Sequence, residues 1–198
     1  MGVTGLVLAA GGSRRLGQPK QLLPFAGATL LDHTLGTARA CGFDQVLCAI
    51  GGSADEVLAR VDLVGVEVVQ NRHFGGGCSS SIAAALGAVA ADTDVLVLML
   101  GDQPGVRVET VKALLAGRGD AALAVCRYDD GRGHPFAFGR AAFGELAGLR
   151  GDKAVWKLLE QRAADVVEVR VPGTVPPDVD TQEDYEALLR SAGVSSTG

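Results

Sequence analysis

The chain has 198 residues, 47% hydrophobic and 21% charged, which suits one domain with a full core and excludes a disordered chain. Its formal net charge of −5 argues against a general nucleic-acid surface and against a basic face that seeks membranes. No apolar run approaches the ~20 residues of a membrane-spanning helix, and Met1-Gly2-Val3 lacks the basic start of a secretion signal, so a cytoplasmic protein is expected.

In chain order, Val3 to Leu8 is an apolar run that reads as a buried strand, and the strand candidate is set at Gly5–Ala9. It leads directly into Leu8-Ala9-Ala10-Gly11-Gly12-Ser13-Arg14-Arg15-Leu16-Gly17-Gln18-Pro19-Lys20, a loop of small residues carrying three cations. Gly11 and Gly12 let the backbone come close to a ligand. Arg14, Arg15 and Lys20 place positive charge beside backbone N–H groups, as a polyphosphate requires. Two familiar phosphate loops do not fit. After Gly17 a P-loop needs Lys and Ser/Thr, but Gln18-Pro19 follow; nor does a Gly-x-Gly-x-x-Gly spacing occur after this strand. The residues themselves point to a nucleoside triphosphate site of another kind.

Leu30 to Ala40 reads as a helix stopped at Cys41-Gly42. Strands are then predicted at Gln45–Ile50, Val66–Gln70, Val95–Leu100, Ala121–Val125, Pro135–Phe138 and Val166–Val171. Between them Ile82, Ala85, Leu86 and Val89 keep a one-face helical period, as do Val108, Val111, Leu114 and Leu115. The alternation predicts a three-layer α/β/α, Rossmann-like domain with a mostly parallel sheet, spanning 1–198 as one unit. Segment 127–164 breaks the rhythm and reads as an insertion of hairpin and helices over the site; the Ser- and Gly-rich tail, 191–198, is expected to fray. Cys41, Cys48, Cys78 and Cys126 form no Cys-x-x-Cys pair, and His33, His73 and His134 lack metal-ligand spacing, so reduced, packed thiols are expected.

In such a sheet, ligands gather at the carboxyl ends of strands. Asn71 to Ser81 follows one strand and brings Ser79, Ser80 and Ser81 to a helix start, where free N–H groups and hydroxyls suit a nucleotide, although one serine could simply cap the helix. Gly101-Asp102-Gln103-Pro104 follows the run 95–100, so the Asp102 carboxylate emerges on the rim shared with the first loop, as Mg²⁺ with substrate phosphates needs. Asp178-Val179-Asp180-Thr181 offers a second carboxylate, with Asp180 either on the metal or, like Thr181, capping the last helix.

The first loop resembles the signature Leu-Ala-Ala-Gly-x-Ser-x-Arg-Met-Gly-x-x-Lys of the molybdenum cofactor cytidylyltransferase family, with Leu16 in place of Met. Leu22-Leu23-Pro24, Gly27, Gly101-Asp102-x-Pro104 and the 71–81 segment match as well. So does Asp180-Thr181-Gln182-Glu183-Asp184, with Gln182 for Pro. The resemblance implies the nucleotide-diphospho-sugar transferase fold. It also implies a loop of Leu8, Ala9, Ala10, Gly11, Gly12 and Ser13 that wraps the triphosphate, with Arg15 and Lys20 on the phosphates. Asn71, Ser79, Ser80 and Gly101 would belong to the nucleotide site, and Asp102 would hold Mg²⁺. Ala10 looks like the CTP-using branch rather than the Leu-Ala-Gly-Gly of GTP users. By the same resemblance Gln103, Pro104, His134, Pro135 and Asp152 would face the acceptor. In the segment 149–156, Ala154-Val155-Trp156 stands where Gly-Ala-Arg is expected, with Lys153 and Lys157 nearby as alternative cations.

The implied reaction joins CMP from CTP to molybdopterin carrying molybdenum and releases pyrophosphate, and a molybdoenzyme would receive the product. Two other readings stay open at this point. One is a same-fold enzyme using GTP or another acceptor, such as a phospholactate or sugar phosphate. The other is a non-catalytic carrier of the finished cofactor.

Overall fold

The computed structural model describes residues 1–13 and 15–193; Arg14 and the end of the tail, 194–198, lie outside the described residues. The first half of the chain forms β1 (Gly2–Ala9), a two-stranded hairpin of β2 (Pro24–Phe25) and β3 (Ala28–Thr29), α1 (Leu30–Ala40), β4 (Gln45–Ile50), α2 (Ala54–Arg60), β5 (Glu67–Gln70) and α3 (Cys78–Leu86). The second half adds β6 (Thr93–Leu100), α4 (Val108–Arg118), β7 (Leu123–Arg127), β8 (Arg132–Gly139), α5 (Phe143–Gly148), α6 (Ala154–Gln161), β9 (Val166–Arg170) and α7 (Gln182–Ser191). Ser191, read from sequence as the start of the frayed tail, closes α7 with its hydroxyl on the Leu188 carbonyl at 2.8 Å.

Seven strands form one sheet in the order β5-β4-β1-β6-β8-β7-β9. The pairs β5–β4, β4–β1, β1–β6 and β7–β9 are parallel, whereas β8 runs antiparallel to both β6 and β7. Stretch 127–164 is therefore more than a cover over the site. Its strand β8 fills the sheet between β6 and β7, with Phe136 and Phe138 fully buried.

The continuous apolar strands are explained by burial on both faces. Val7, Cys48, Val97 and Met99 pack on one face with Leu35 of α1, Val57 of α2 and Val111 of α4. Their neighbours Leu6, Leu47, Leu96 and Leu98 pack on the other with Ile82 of α3, Leu146 of α5 and Leu158 of α6. This is the three-layer arrangement expected from the alternation of strands and helices.

A third, smaller apolar cluster decides where the site forms. Leu23 and Leu30 pack with Val179 and Leu188, so α7 returns the C-terminal segment to the loop after β1. The Val179 N–H donates to the Asp102 carbonyl at 3.2 Å, fastening that segment to the tip of β6. Because Val179 is fully buried and the backbone there is extended into the Thr181 cap, its neighbours Asp178 and Asp180 turn to the opposite side.

Candidate active site

The tips of β1 and β6, together with segments 74–78, 152–153 and 178–180, enclose a cavity of about 710 Å³. That volume lies within the usual range for small-molecule sites. Its floor is the loop after β1, with Leu8 through Ser13 all lining it. Two side chains shape this loop from beneath. Gln21, almost fully buried, donates from Nε2 to the Ala9 carbonyl at 2.7 Å and the Gly11 carbonyl at 3.0 Å. Ser13 takes a positive φ of 46°, and its Oγ accepts the Lys20 N–H at 2.9 Å. Pro19 then directs a short 3₁₀ turn, Lys20–Leu22, which swings the Lys20 side chain back over the loop.

The Lys20 ammonium is the hub of one wall. It donates to Asp102 Oδ2 in a very short contact and to Asp180 Oδ1 at 2.7 Å. The Arg15 guanidinium stands 3.3 Å from the second oxygen of Asp180. Carboxylate oxygens of Asp102, Asp178 and Asp180 lie within 4.8 Å of one another, close enough to share one cation. Burial acts against the charge of Lys20, but its two carboxylate partners outweigh it and hold the amine above its ordinary pKa. Burial likewise raises the Asp102 carboxyl, opposed by the Lys20 charge. A hard-oxygen donor set with a cation already at its centre is the chemistry Mg²⁺ or Mn²⁺ asks for, so these residues fit a divalent ion.

Of the two roles read for Asp180, the helix cap is taken by another side chain. Thr181 caps α7: its side chain accepts from the Asp184 N–H at 3.2 Å, while Asp184 accepts from Thr181 N–H at 2.8 Å. This capping box leaves the Asp180 carboxylate free to face Lys20 and Arg15. Asp178 was not singled out from the sequence. Its signal was there in the period-two pattern of an exposed, a buried and a second outward residue at 178–180.

The opposite wall is built mainly of backbone. Asp152 lines the cavity and accepts the Cys78 N–H at 3.1 Å, capping α3 from a distant part of the chain. Gly77, with φ +84°, lies so close to Asp152 that a Cβ there would strike its carboxylate. Lys153, Phe74 and Ser81 line the same wall. Cys78 does too, and burial pushes its thiol up to about 11, so it is not a ready nucleophile.

The predicted residues divide sharply between cavity and core. Leu8 to Ser13, Arg15, Lys20, Gly101, Asp102, Asp152 and Asp180 line the cavity. Asn71, Ser79 and Ser80 sit behind it. Asn71 Nδ2 donates to Ser80 Oγ at 2.9 Å and Ser81 Oγ at 3.0 Å, while its Oδ1 accepts from His73 N–H at 2.8 Å. No serine side chain caps α3. Gln103, Pro104, His134 and Pro135 are likewise outside the lining. Gln103 Nε2 donates to the Pro176 carbonyl at 2.9 Å. The His134 ring stacks on Phe136 at 4.0 Å and meets Trp156 edge-on; burial drives its pKa down to about 3, leaving a neutral core imidazole.

This fold, with a glycine-rich cationic loop facing a strand-tip carboxylate cluster, is that of the nucleotidyltransferases. The chain belongs to the MobA-like NTP transferase family, whose model matches residues 5–166. Nicotine blue oxidoreductase of Paenarthrobacter nicotinovorans is 32% identical over 198 aligned residues, covering 94% of this chain and 96% of that protein. Among solved structures, a homologue of Mycobacterium tuberculosis Rv0371c from Mycobacterium sp. strain JC1 is 51% identical, with a TM-score of 0.90 and 96% of each chain covered. Rv0371c itself, solved in complex with manganese, is 46% identical with a TM-score of 0.85, covering 96% of this chain and 100% of that one. At 17% identity and a TM-score of 0.79, CMP:2-keto-3-deoxy-manno-octonic acid synthetase, solved with CTP, covers 98% of this chain and 99% of its own and shares the fold. No described helix is long and apolar enough to cross a membrane.

Proposed function

We propose that this protein is a divalent-metal-dependent nucleotidyltransferase that moves CMP from CTP to a phosphorylated acceptor of the molybdopterin type, releasing pyrophosphate. The observation that carries this reading is the meeting of Lys20 with Asp102 and Asp180 directly above the loop Leu8–Ser13. An amine held between two carboxylates marks a place where a cation is wanted. Asp102, Asp178 and Asp180 would hold Mg²⁺, which when bound neutralises phosphate charge. The loop's backbone N–H groups and Ser13 receive the triphosphate. Drawn by the phosphates, Lys20 and Arg15 leave their carboxylates and stabilise the charge that grows on departing pyrophosphate. An oxygen of the acceptor phosphate forms a bond to the α-phosphorus as the bond to the β-phosphate oxygen breaks. No general base is required, because the acceptor phosphate is already ionised, and positioning supplies most of the acceleration.

Ala10 on the cavity floor supports CTP over GTP by its resemblance to the CTP-using branch. A second reading, the same transfer to a different phosphorylated acceptor, is favoured by one residue. Trp156, at the place where the family's segment carries Arg, packs edge-on against Phe136 at 5.0 Å and brings no positive charge to that place. Lys153 is then the cation on that wall among the described lining residues. Pyrophosphate release measured for CTP, GTP, ATP and UTP against molybdopterin, a phospholactate and a sugar phosphate tests both. The proposal expects CTP with molybdopterin to be the fastest pair. Release with none of them in the presence of Mg²⁺ or Mn²⁺ would end it.

A further inference from the structure

We infer that Phe74 is the aromatic wall on which the base of the bound nucleotide stacks, an inference that rests on the nucleotidyltransferase reading above. Phe74 is a large apolar side chain left 40% exposed, and it lines the cavity. It opens a tight 3₁₀ turn, Phe74–Gly76, that follows β5 after Asn71, Arg72 and His73. The turn is anchored. Asn71 accepts from His73 N–H and donates to Ser80 and Ser81, and Ser80 Oγ in turn reaches the Gly77 carbonyl at 2.8 Å. Asn71 and Ser80, two of the residues that resemblance assigned to the nucleotide, thus anchor the turn that carries Phe74 and are not among the residues lining the cavity.

The ring rests on a shelf of two glycines at the tip of β4. A Cβ on Gly51 would stand 2.7 Å from Phe74 Cβ, 2.7 Å from the Ala10 carbonyl and 2.9 Å from Ala10 Cβ. A Cβ on Gly52 would stand 3.0 Å from the Phe74 ring edge. Neither glycine has a positive φ, so close approach and not backbone conformation is what demands glycine here. The same contacts make Phe74 a neighbour of Ala10, two strands across the sheet from the tip of β6 that carries Asp102. A nucleotide whose phosphates lie against Lys20 and the carboxylates has its opposite end, the base, available to this aromatic side. Stacking on an aromatic ring is strong and tolerant of base identity, because every base has a π-face. Phe74 would therefore supply affinity for nucleotides over bare polyphosphate, while choice among bases falls to other groups.

The test measures equilibrium binding without acceptor, so that no turnover intervenes. Calorimetry with Mn²⁺ compares CTP, GTP and inorganic triphosphate on the wild type, Phe74→Ala and Phe74→Tyr. The inference expects Phe74→Ala to weaken CTP and GTP about tenfold or more, to leave triphosphate unchanged, and Phe74→Tyr to restore nucleotide binding. Equal nucleotide affinity in wild type and Phe74→Ala would overturn it. So would equal losses for nucleotide and triphosphate, which would mark a purely structural role. If the wild type binds neither triphosphate nor any nucleotide, the nucleotidyltransferase reading itself fails, a result distinct from the others.

Discussion

The two walls of the cavity are made in opposite ways. One wall is a cluster of charge: Lys20 between Asp102 and Asp180, with Arg15 and Asp178 beside them. The other is mainly backbone and glycine, with Phe74, Asp152 and Lys153 on its surface, and is secured from behind by Asn71 and Ser80. Under the proposed function the charged wall would stabilise the transition state, since its groups would meet the charge that develops during the reaction. The backbone wall offers shape and ring surface, which suit recognition more than chemistry. Mutations on the first should therefore change rate, and those on the second affinity.

The sharpest way to break that contrast is a pair of substitutions on the charged wall. Lys20→Ala and Asp102→Asn are each expected to lower kcat/KM for nucleotidyl transfer by on the order of 100-fold or more. The double variant should lose far less than the product of the two, because the residues act through one contact. Near-normal pyrophosphate release from either folded variant would remove the wall's catalytic role. A smaller effect is expected at the rim. Asp178→Asn and Asp180→Asn should each weaken Mn²⁺ binding about tenfold, by analogy with losses at metal sites. Titration followed by electron paramagnetic resonance would measure this, and an unchanged Asp178→Asn would exclude that residue from the cluster.

Two further expectations concern the supports and not the walls. His134 is held neutral in the fold, with its pKa pushed down to about 3 against an ordinary 6.5. Below pH 6.5 the unfolded chain binds a proton there and the folded chain does not. Stability should therefore fall as pH drops from about 6.5 toward 3, by at most about 1.4 kcal/mol per pH unit. Denaturant melts of wild type and His134→Phe across that window should show a steeper loss in the wild type; parallel curves would contradict it. Smallest of all, Thr181→Ala removes the α7 cap and is expected to cost about 1 kcal/mol of stability.

Much of the charged wall was legible in the sequence because its signals are local. A buried strand followed by glycines and cations, and another ending in Gly101-Asp102, each announce a strand tip with a job. Asp180 was visible but ambiguous, since a carboxylate before a helix serves equally as a cap. Only the Thr181–Asp184 box, a matter of side-chain geometry, released it. The insertion of β8 between β6 and β7 could not be read, because strand order depends on pairing between distant segments. His134 is a different case. Resemblance set it toward the acceptor, whereas the structure places its imidazole beside Phe136 and Trp156, a neighbourhood that depends on the pairing of β8 within the sheet. Phe74 was passed over among glycines because its significance depends on Gly51 and Gly52, which adjoin it only in three dimensions.

The most direct test is a crystal structure of the protein with CTP and Mn²⁺, using anomalous scattering to locate the metal. The account predicts manganese on Asp102 and its neighbouring carboxylates, the triphosphate along residues 9–13, and the Lys20 ammonium moved onto phosphate oxygens. Manganese held away from Asp102, or a triphosphate bound elsewhere with the Lys20–Asp102 contact intact, would contradict it.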